Sequence, residues 1–374
     1  MLNLVIDASG IFYRTLFTVI GYETKKGEKF LDTRKSQGIF MRKLASDFST
    51  LVRSIDDPCR VIVCMDSSSW RKTISIEDGG YKADRKKDDS SINWKSFFEL
   101  TDKFAAVLSS KGYILSRVHG AEGDDLLFFW SQKLNDQKEN VIMITGDKDL
   151  LQVVNKHENG SWTVAIDPVL NRKKISLTQE SLNFSPPEDN PVDLFNPDSW
   201  ANSSDILEKY IKNYELNIVD TRKLSMMKVI LGDDGDSVPA IITWKDKKEP
   251  EKIRSITENN FNKIVLAHPS IENASWKDLR AGKYTEEIAT VIESLKKIEV
   301  DRDKLASNIE RNCKLVVLSF DTIPDELYQR FLEAHKEIPN SLAVTGRDGI
   351  LGGTEWWTTD KSADFIPKSY DLFG

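Results

Sequence analysis

The chain has no long apolar run free of charge. Its most apolar segment, MLNLVIDASGIFYRTLFTVIG at the N-terminus, is interrupted by Asp7 and Arg14 and has neither a basic leader nor a small-residue cleavage site. That pattern argues against a secretory signal and predicts no membrane span. Cysteine is scarce. Cys59, Cys64 and Cys313 show no metal-ligand spacing and no even-numbered framework, so buried free thiols in a reducing cytoplasm are expected. The four histidines (His119, His157, His268 and His335) form no zinc-type pair. Ser67, Ser68 and Ser69 lack a nucleophile-elbow context. GAEGDD (120–125) is not followed by GK[ST], which argues against a Walker-type NTPase. Low-complexity blocks and internal repeats are missing too. What remains is an ordinary composition, 40% hydrophobic and 30% charged, in a 374-residue chain long enough for two structural units.

A formal net charge of -7 speaks at first against a nucleic-acid partner. The basic residues, however, bunch in RKTISIEDGGYKADRKK (71–87) and around Arg222, Lys223, Lys228, Lys245, Lys247 and Lys248. If many acids gather around metal ions, the field outside that cluster departs from the formal total.

Four β-type runs stand out: LNLVID (2–7), RVIVCMD (60–66), YILSRV (113–118) and VIMIT (141–145). They alternate with helical periods over 38–55, 92–112 and 122–136, which predicts an α/β fold with a mostly parallel sheet covered on both faces. Beyond residue 155 the pattern changes. Residues 185–205 read as a loop or insertion, helical periodicity returns over 204–216 and 222–232, and more helices are expected across 250–340. The last thirty or so residues read as irregular.

In such sheets ligands bind outside the carboxyl ends of the strands. The first strand ends at Asp7 and the second at Asp66; the third leads to Glu122, Asp124 and Asp125, and the fourth runs into Asp147 and Asp149. With Asp233 and Asp236 of GDDGDSVPAI, nine carboxylates would share one pocket. Singly, each has an innocent explanation: Asp124 and Asp125 as first-turn helix residues, Asp147 as a cap, Asp233–Asp236 as a turn. Jointly, on one sheet edge, they point to hard divalent cations, because like charges at close range resist ionisation. Oxygen-only ligands favour Mg²⁺ or Mn²⁺. Beside them, the segment after Asp66 is either a solvated charged loop or an arch whose Lys82 and Arg85 hold a phosphodiester while Tyr81 stacks on a base.

LVIDASGIFYR, MDSSSWRK…YKADRK, AEGDDLL, TGDKDLLQ and GDDGDSVPAI occur in the order found in the flap endonuclease, or 5′-nuclease, superfamily, and residues 311–339 resemble the C-terminal part of the T-even-type bacteriophage ribonuclease H. The likeness spans about 1–155 and 222–340. It implies a nuclease α/β core over 1–221 (arch about 71–100, insertion about 178–220), a helical DNA-binding region over 222–340 that completes the active site, and an irregular tail over 341–374. It also implies roles. Asp7, Asp66, Glu122 and Asp124 would bind a first Mg²⁺, and Asp147, Asp149, Asp233 and Asp236 a second, with Asp125 catalytic between the two sets and Mn²⁺ able to substitute. Lys82 and Arg85 would contact the scissile phosphate. Tyr81, Arg71, Lys72, Lys86, Lys245, Lys247 and Lys248 would bind nucleic acid. The sequence departs from many members of the superfamily at SVPAIITWKDKKE, where they carry a glycine-rich hairpin.

The activity so implied is 5′→3′ exonuclease and flap endonuclease cleavage of RNA–DNA and DNA duplexes, removing RNA primers during phage replication in the host cytoplasm. A PIN-type single-strand ribonuclease and a non-catalytic junction-binding protein are the alternatives. Expected partners are a duplex with a 5′ end or flap, a sliding clamp hooked by Ser369–Gly374 and a single-strand DNA-binding protein; the chain itself is expected to be a monomer.

Overall fold

A computed structural model of the chain describes residues 1–20, 29–55, 57, 59–76, 80–83, 91–169, 173–182, 204–245, 249 and 251–337. The first half alternates as the sequence predicts: β1 (Leu2–Asp7), α1 (Ala8–Val19), α2 (Arg34–Arg53), β2 (Arg60–Cys64), α3 (Trp94–Ser110), β3 (Ile114–Ser116), α4 (Gly123–Asp136) and β4 (Asn140–Ile144). Every residue of β1, β2 and β4 is buried, as unbroken apolar strands require when helices cover both faces of a sheet.

The sheet does not stop at β4. After the two-residue β5 (Asn155–Lys156) come β6 (Trp162–Ile166), β7 (Lys174–Leu177) and β8 (Glu215–Ile218), in the spatial order β3-β2-β1-β4-β6-β7-β8. β1, β2, β3, β4 and β6 run parallel; β7 turns back antiparallel to β6, and β8 lies parallel to β7. The stretch 178–220 is therefore in part a piece of this sheet rather than a separate insertion. Ile206, Leu207 and Tyr210 of the helix Ser204–Asn213 are buried in the main core, and β8 extends the edge; residues 183–203 lie outside the described set. A four-residue strand with three exposed positions carries too little apolar periodicity to be read from sequence.

Helices over Thr221–Leu231, Glu258–Ala267, Trp276–Arg280, Thr285–Lys296 and Arg302–Val316 enclose a second core around Met226, Phe261, Ile288 and Cys313. At the position of the missing glycine-rich hairpin stands a short antiparallel pair, β9 (Thr243–Lys245) with β10 (Ile253–Ser255). The helix Asp325–Ala334 leaves this region and packs on α4, with Phe331 edge-on to Trp130 at 5.2 Å. The described part of the helical region expected over 222–340 thus packs on both cores, because two fully buried aromatics, each stabilising by about 2 kcal/mol, tie its helix Asp325–Ala334 to the first core. All three cysteines are buried and free. No helix among the described residues is long and apolar enough to cross a membrane.

Candidate active site

The sheet order changes direction at β1, whose neighbours are β2 on one side and β4 on the other. Crevices open at such switch points, outside the carboxyl ends of the strands. Asp7 closes β1 and caps α1, accepting the Gly10 N–H at 2.9 Å. A Cβ at Gly10 would lie 2.6 Å from the Asp7 carboxylate, so only glycine lets the strand end and the helix start share this turn. Asp66 lies just beyond β2 and accepts the Gly123 N–H at 2.6 Å, which ties it to the start of α4. Asp147 follows β4, its N–H held by Thr145 Oγ1 at 3.0 Å, while Thr145 also reaches Asp7 at 3.3 Å.

These acids line a cleft of about 450 Å³ together with Asp124, Asp236, Lys82, Ser9, Tyr13 and Arg14. Among the described residues, no basic side chain forms an ion pair with Asp7, Asp66, Asp124 or Asp147. The consequence is electrostatic. Burial, with added repulsion from Asp66 and Asp147, pushes the Asp7 carboxyl from 3.8 to about 6. Burial and repulsion from Asp147 and Asp7 drive Asp124 well above the usual carboxylate range.

The other acids are clamped. Arg71 donates to Asp125 at 2.8 and 3.0 Å, to Glu122 at 3.1 Å and to the Leu315 carbonyl at 3.0 Å. It is 2% exposed, so the assignment of Arg71 to nucleic acid is corrected: its guanidinium is spent inside the protein. Asp125 is fully buried and also accepts the Glu122 N–H in a capping box, so it braces α4 rather than facing the cleft. Tyr81, expected to stack on a base, is also buried. Its hydroxyl lies 2.9 Å from an Asp236 oxygen and 3.2 Å from a Glu122 oxygen, with one proton to donate between them, and the Lys82 ammonium covers its ring at 4.8 Å. Glu122 is held by Lys82 at 2.6 Å; burial would raise its carboxyl, but Lys82 and Arg71 keep it below its usual value. Asp149 and Asp233 share the ammonium of Lys228 and do not line the cleft.

Lys82 sits at φ 60°, a left-handed conformation costing an L-residue about 1 kcal/mol, and its N–H bonds the Asp236 carbonyl at 2.9 Å. That bond pins the base of the proposed arch to the turn Asp234–Asp236. Gly232 makes the turn possible: at φ 79° its Cβ would meet the Val238 carbonyl at 2.3 Å. Lys72 and Lys245 are exposed, the latter on the β9–β10 pair. Arg85, Lys86, Lys247 and Lys248 lie outside the described residues. Sequence reasoning missed Asp167, which directly follows β6 and lines the same cleft, as well as Tyr13 and Arg14 one turn into α1. The signal for Asp167 was present, an apolar run WTVAI ending in an acid.

The donor set fits a hydrated divalent cation. It is all oxygen, anionic and strained by mutual repulsion. Among the described residues, no three acids converge closely enough to complete an inner coordination sphere by themselves. A pH test follows. A carboxyl whose folded-state pKa is raised favours the fold while protonated; for Asp7 that contribution is complete below about 3.8 and lost as pH rises through about 6. Saturating Mg²⁺ is therefore expected to raise the unfolding midpoint by several degrees at pH 7.5 and much less at pH 5, where binding must first expel protons. Differential scanning calorimetry with MgCl₂ or chelator at the two pH values checks it.

Residues 2–182 match the family model described as 5′-3′ exonuclease, N-terminal resolvase-like domain. A curated 5′-3′ exonuclease of Buchnera aphidicola subsp. Schizaphis graminum (strain Sg) is 24% identical over 187 residues, 50% of this chain and 58% of that protein. The chain thus spans less than two thirds of the curated relative it matches. Among solved structures, the D15 protein of bacteriophage T5 co-crystallised with metal ions aligns with a TM-score of 0.48 at 14% identity, covering 89% of this chain and 98% of its own. Human GEN1 in complex with Holliday junction DNA aligns with a TM-score of 0.41 at 12% identity, covering 90% and 68%.

Proposed function

We propose, from the match of residues 2–182 to the 5′-3′ exonuclease N-terminal domain and from the acidic cleft, that this chain is a Mg²⁺-dependent 5′→3′ exonuclease and flap endonuclease acting on RNA–DNA and DNA duplexes. One observation carries the reading. Of the nine acids gathered at the sheet edge, Arg71, Lys82 and Lys228 engage Glu122, Asp125, Asp149, Asp233 and Asp236, while Asp7, Asp66, Asp124 and Asp147 face a cleft with no ion-paired counter-cation among the described residues. An enzyme built only for stability would not gather four such charges.

Bound divalent cations would activate a water and offset charge on the scissile phosphate and the leaving 3′ oxygen. The protein's own contribution is orientation. Asp7, Asp66, Asp124 and Asp147 would hold one such ion. Lys82, aimed by Glu122 and seated on the Tyr81 ring, would present a fixed ammonium to the phosphate, and Arg85 would join it from outside the described residues. In the same reading the helical region grips duplex DNA, with Lys245 on its β9–β10 pair, and Ser369–Gly374, outside the described residues, hook a sliding clamp. The biological setting is primer removal from lagging-strand fragments in phage replication.

The test is digestion of a 5′-labelled RNA–DNA hybrid, a 5′-flapped DNA duplex and free single-stranded RNA, with Mg²⁺ or with chelator. Cleavage of both duplexes near their 5′ ends, only with Mg²⁺ and faster than of free RNA, is expected. Preference for free RNA would instead favour a PIN-type ribonuclease. Inertness toward all three would favour a junction-binding protein.

A further inference from the structure

The carboxylates of Asp149 and Asp233 are bridged by a single ammonium, that of Lys228. The bridge joins the two halves of the molecule. Asp149 opens the short turn Asp149–Val153 after β4, whereas Lys228 lies in the helix Thr221–Leu231 and Asp233 just beyond it. All three side chains are largely shielded, at 27%, 19% and 16% exposure for Asp149, Lys228 and Asp233. Asp233 is further fixed by the Gly235 N–H at 2.9 Å and by backbone bonds to Val238 at 2.8 and 2.9 Å. Neither acid lines the cleft, yet Asp147 and Asp236, two and three residues from them, both do.

A positive group held between two carboxylates stands where a divalent ion bound by that pair would stand, and the two cannot share the place. An ion entering there must displace the lysine, whereas among the described residues no lysine or arginine is ion-paired with Asp7, Asp66, Asp124 or Asp147. The lysine stem is long and unbranched, so its ammonium can leave without unwinding the helix that carries it. We propose that Lys228 is an internal cation that reserves the Asp149–Asp233 pair, so that the resting protein takes up one divalent ion tightly, at Asp7, Asp66, Asp124 and Asp147, and a second only as Lys228 is displaced. This rests on the divalent-cation reading above and narrows it: the two-ion set expected from the sequence is not equally available on both sides.

The experiment is titration of the metal-free full chain with MnCl₂, followed by calorimetry and by the electron paramagnetic resonance of free Mn²⁺. Wild type is expected to show a single tight site. In Lys228→Met a second site tightens by roughly tenfold or more. Lys228→Arg behaves as wild type. The metal-free Lys228→Met protein melts below wild type, because two facing carboxylates have lost their counter-charge, and it recovers more than wild type on adding Mn²⁺. Should Lys228→Met not fold without metal, Asp233→Asn carries the test, since it is expected to keep the tight site and gain none. An isotherm in folded Lys228→Met identical to wild type, two equally tight ions in wild type, or loss of the tight site in Asp233→Asn would each overturn the proposal. Wild type that binds no Mn²⁺ at all would instead sink the divalent-cation reading itself.

Discussion

Asp124→Asn is expected to lower the Mg²⁺-supported cleavage rate by roughly 100-fold or more while leaving the metal-free protein as stable as wild type or more so. The two effects have one cause. Asp124 is pressed by burial and by the charges of Asp147, Asp7 and Asp66, and among the described residues no lysine or arginine is ion-paired with it. Replacing the carboxylate by an amide of the same shape removes the repulsion, which helps the fold, and removes a ligand charge, which harms ion binding. A structural carboxylate would behave in the opposite way, losing stability and keeping activity. Flap-cleavage rates measured beside thermal midpoints in chelator separate the two. Retained cleavage with a lowered midpoint would end the case for Asp124 as a ligand.

The position of this site was readable from sequence, because it depends on a rule about strand ends. LNLVID and VIMIT are apolar enough to be buried parallel strands, and a side chain just past such a strand has only the carboxyl edge of the sheet to occupy. Asp7, Asp66 and Asp147 follow from that alone; Asp124 lies farther on, in the first turn of α4. Which of the nearby acids are free for a ligand does not follow, because that depends on pairing across the fold. Arg71 and Asp125 are separated by 54 positions, and nothing local marks them as partners. Arg71 and Tyr81 were assigned to nucleic acid because they lie in a charged, Gly-containing run that reads as solvent-exposed. The structure buries both, since the Arg71 head is satisfied four times over and the Tyr81 hydroxyl finds two carboxylates. β8 escaped notice for a different reason. The helical period expected over 204–216 runs into it, and three of its four residues are exposed, so no apolar alternation marks the strand.

Arg71→Ala is expected to be the most destabilising single change in the molecule, costing about 3–5 kcal/mol, because it leaves a fully buried Asp125 carboxylate without its counter-charge. The loss has three parts. Asp125 keeps only the Glu122 N–H, Glu122 loses one of its two basic partners, and the Leu315 carbonyl loses its donor. That last bond is a tie between the N-terminal core and the helix Arg302–Val316, so unfolding monitored by probes in the two halves should separate into distinct steps in the variant. Cleavage should fall as well, since Glu122 is what aims the Lys82 ammonium. The control is the double variant Arg71→Met with Asp125→Leu. A buried ion pair replaced whole by apolar side chains of similar size is often close to neutral, so the double variant should recover most of the stability lost in Arg71→Ala. It should not recover cleavage, because Glu122 still lacks its second basic partner. Denaturant titration of the three proteins decides the matter: a cost below about 1 kcal/mol for Arg71→Ala would mean that the Arg71 clamp is not what orders the acidic edge.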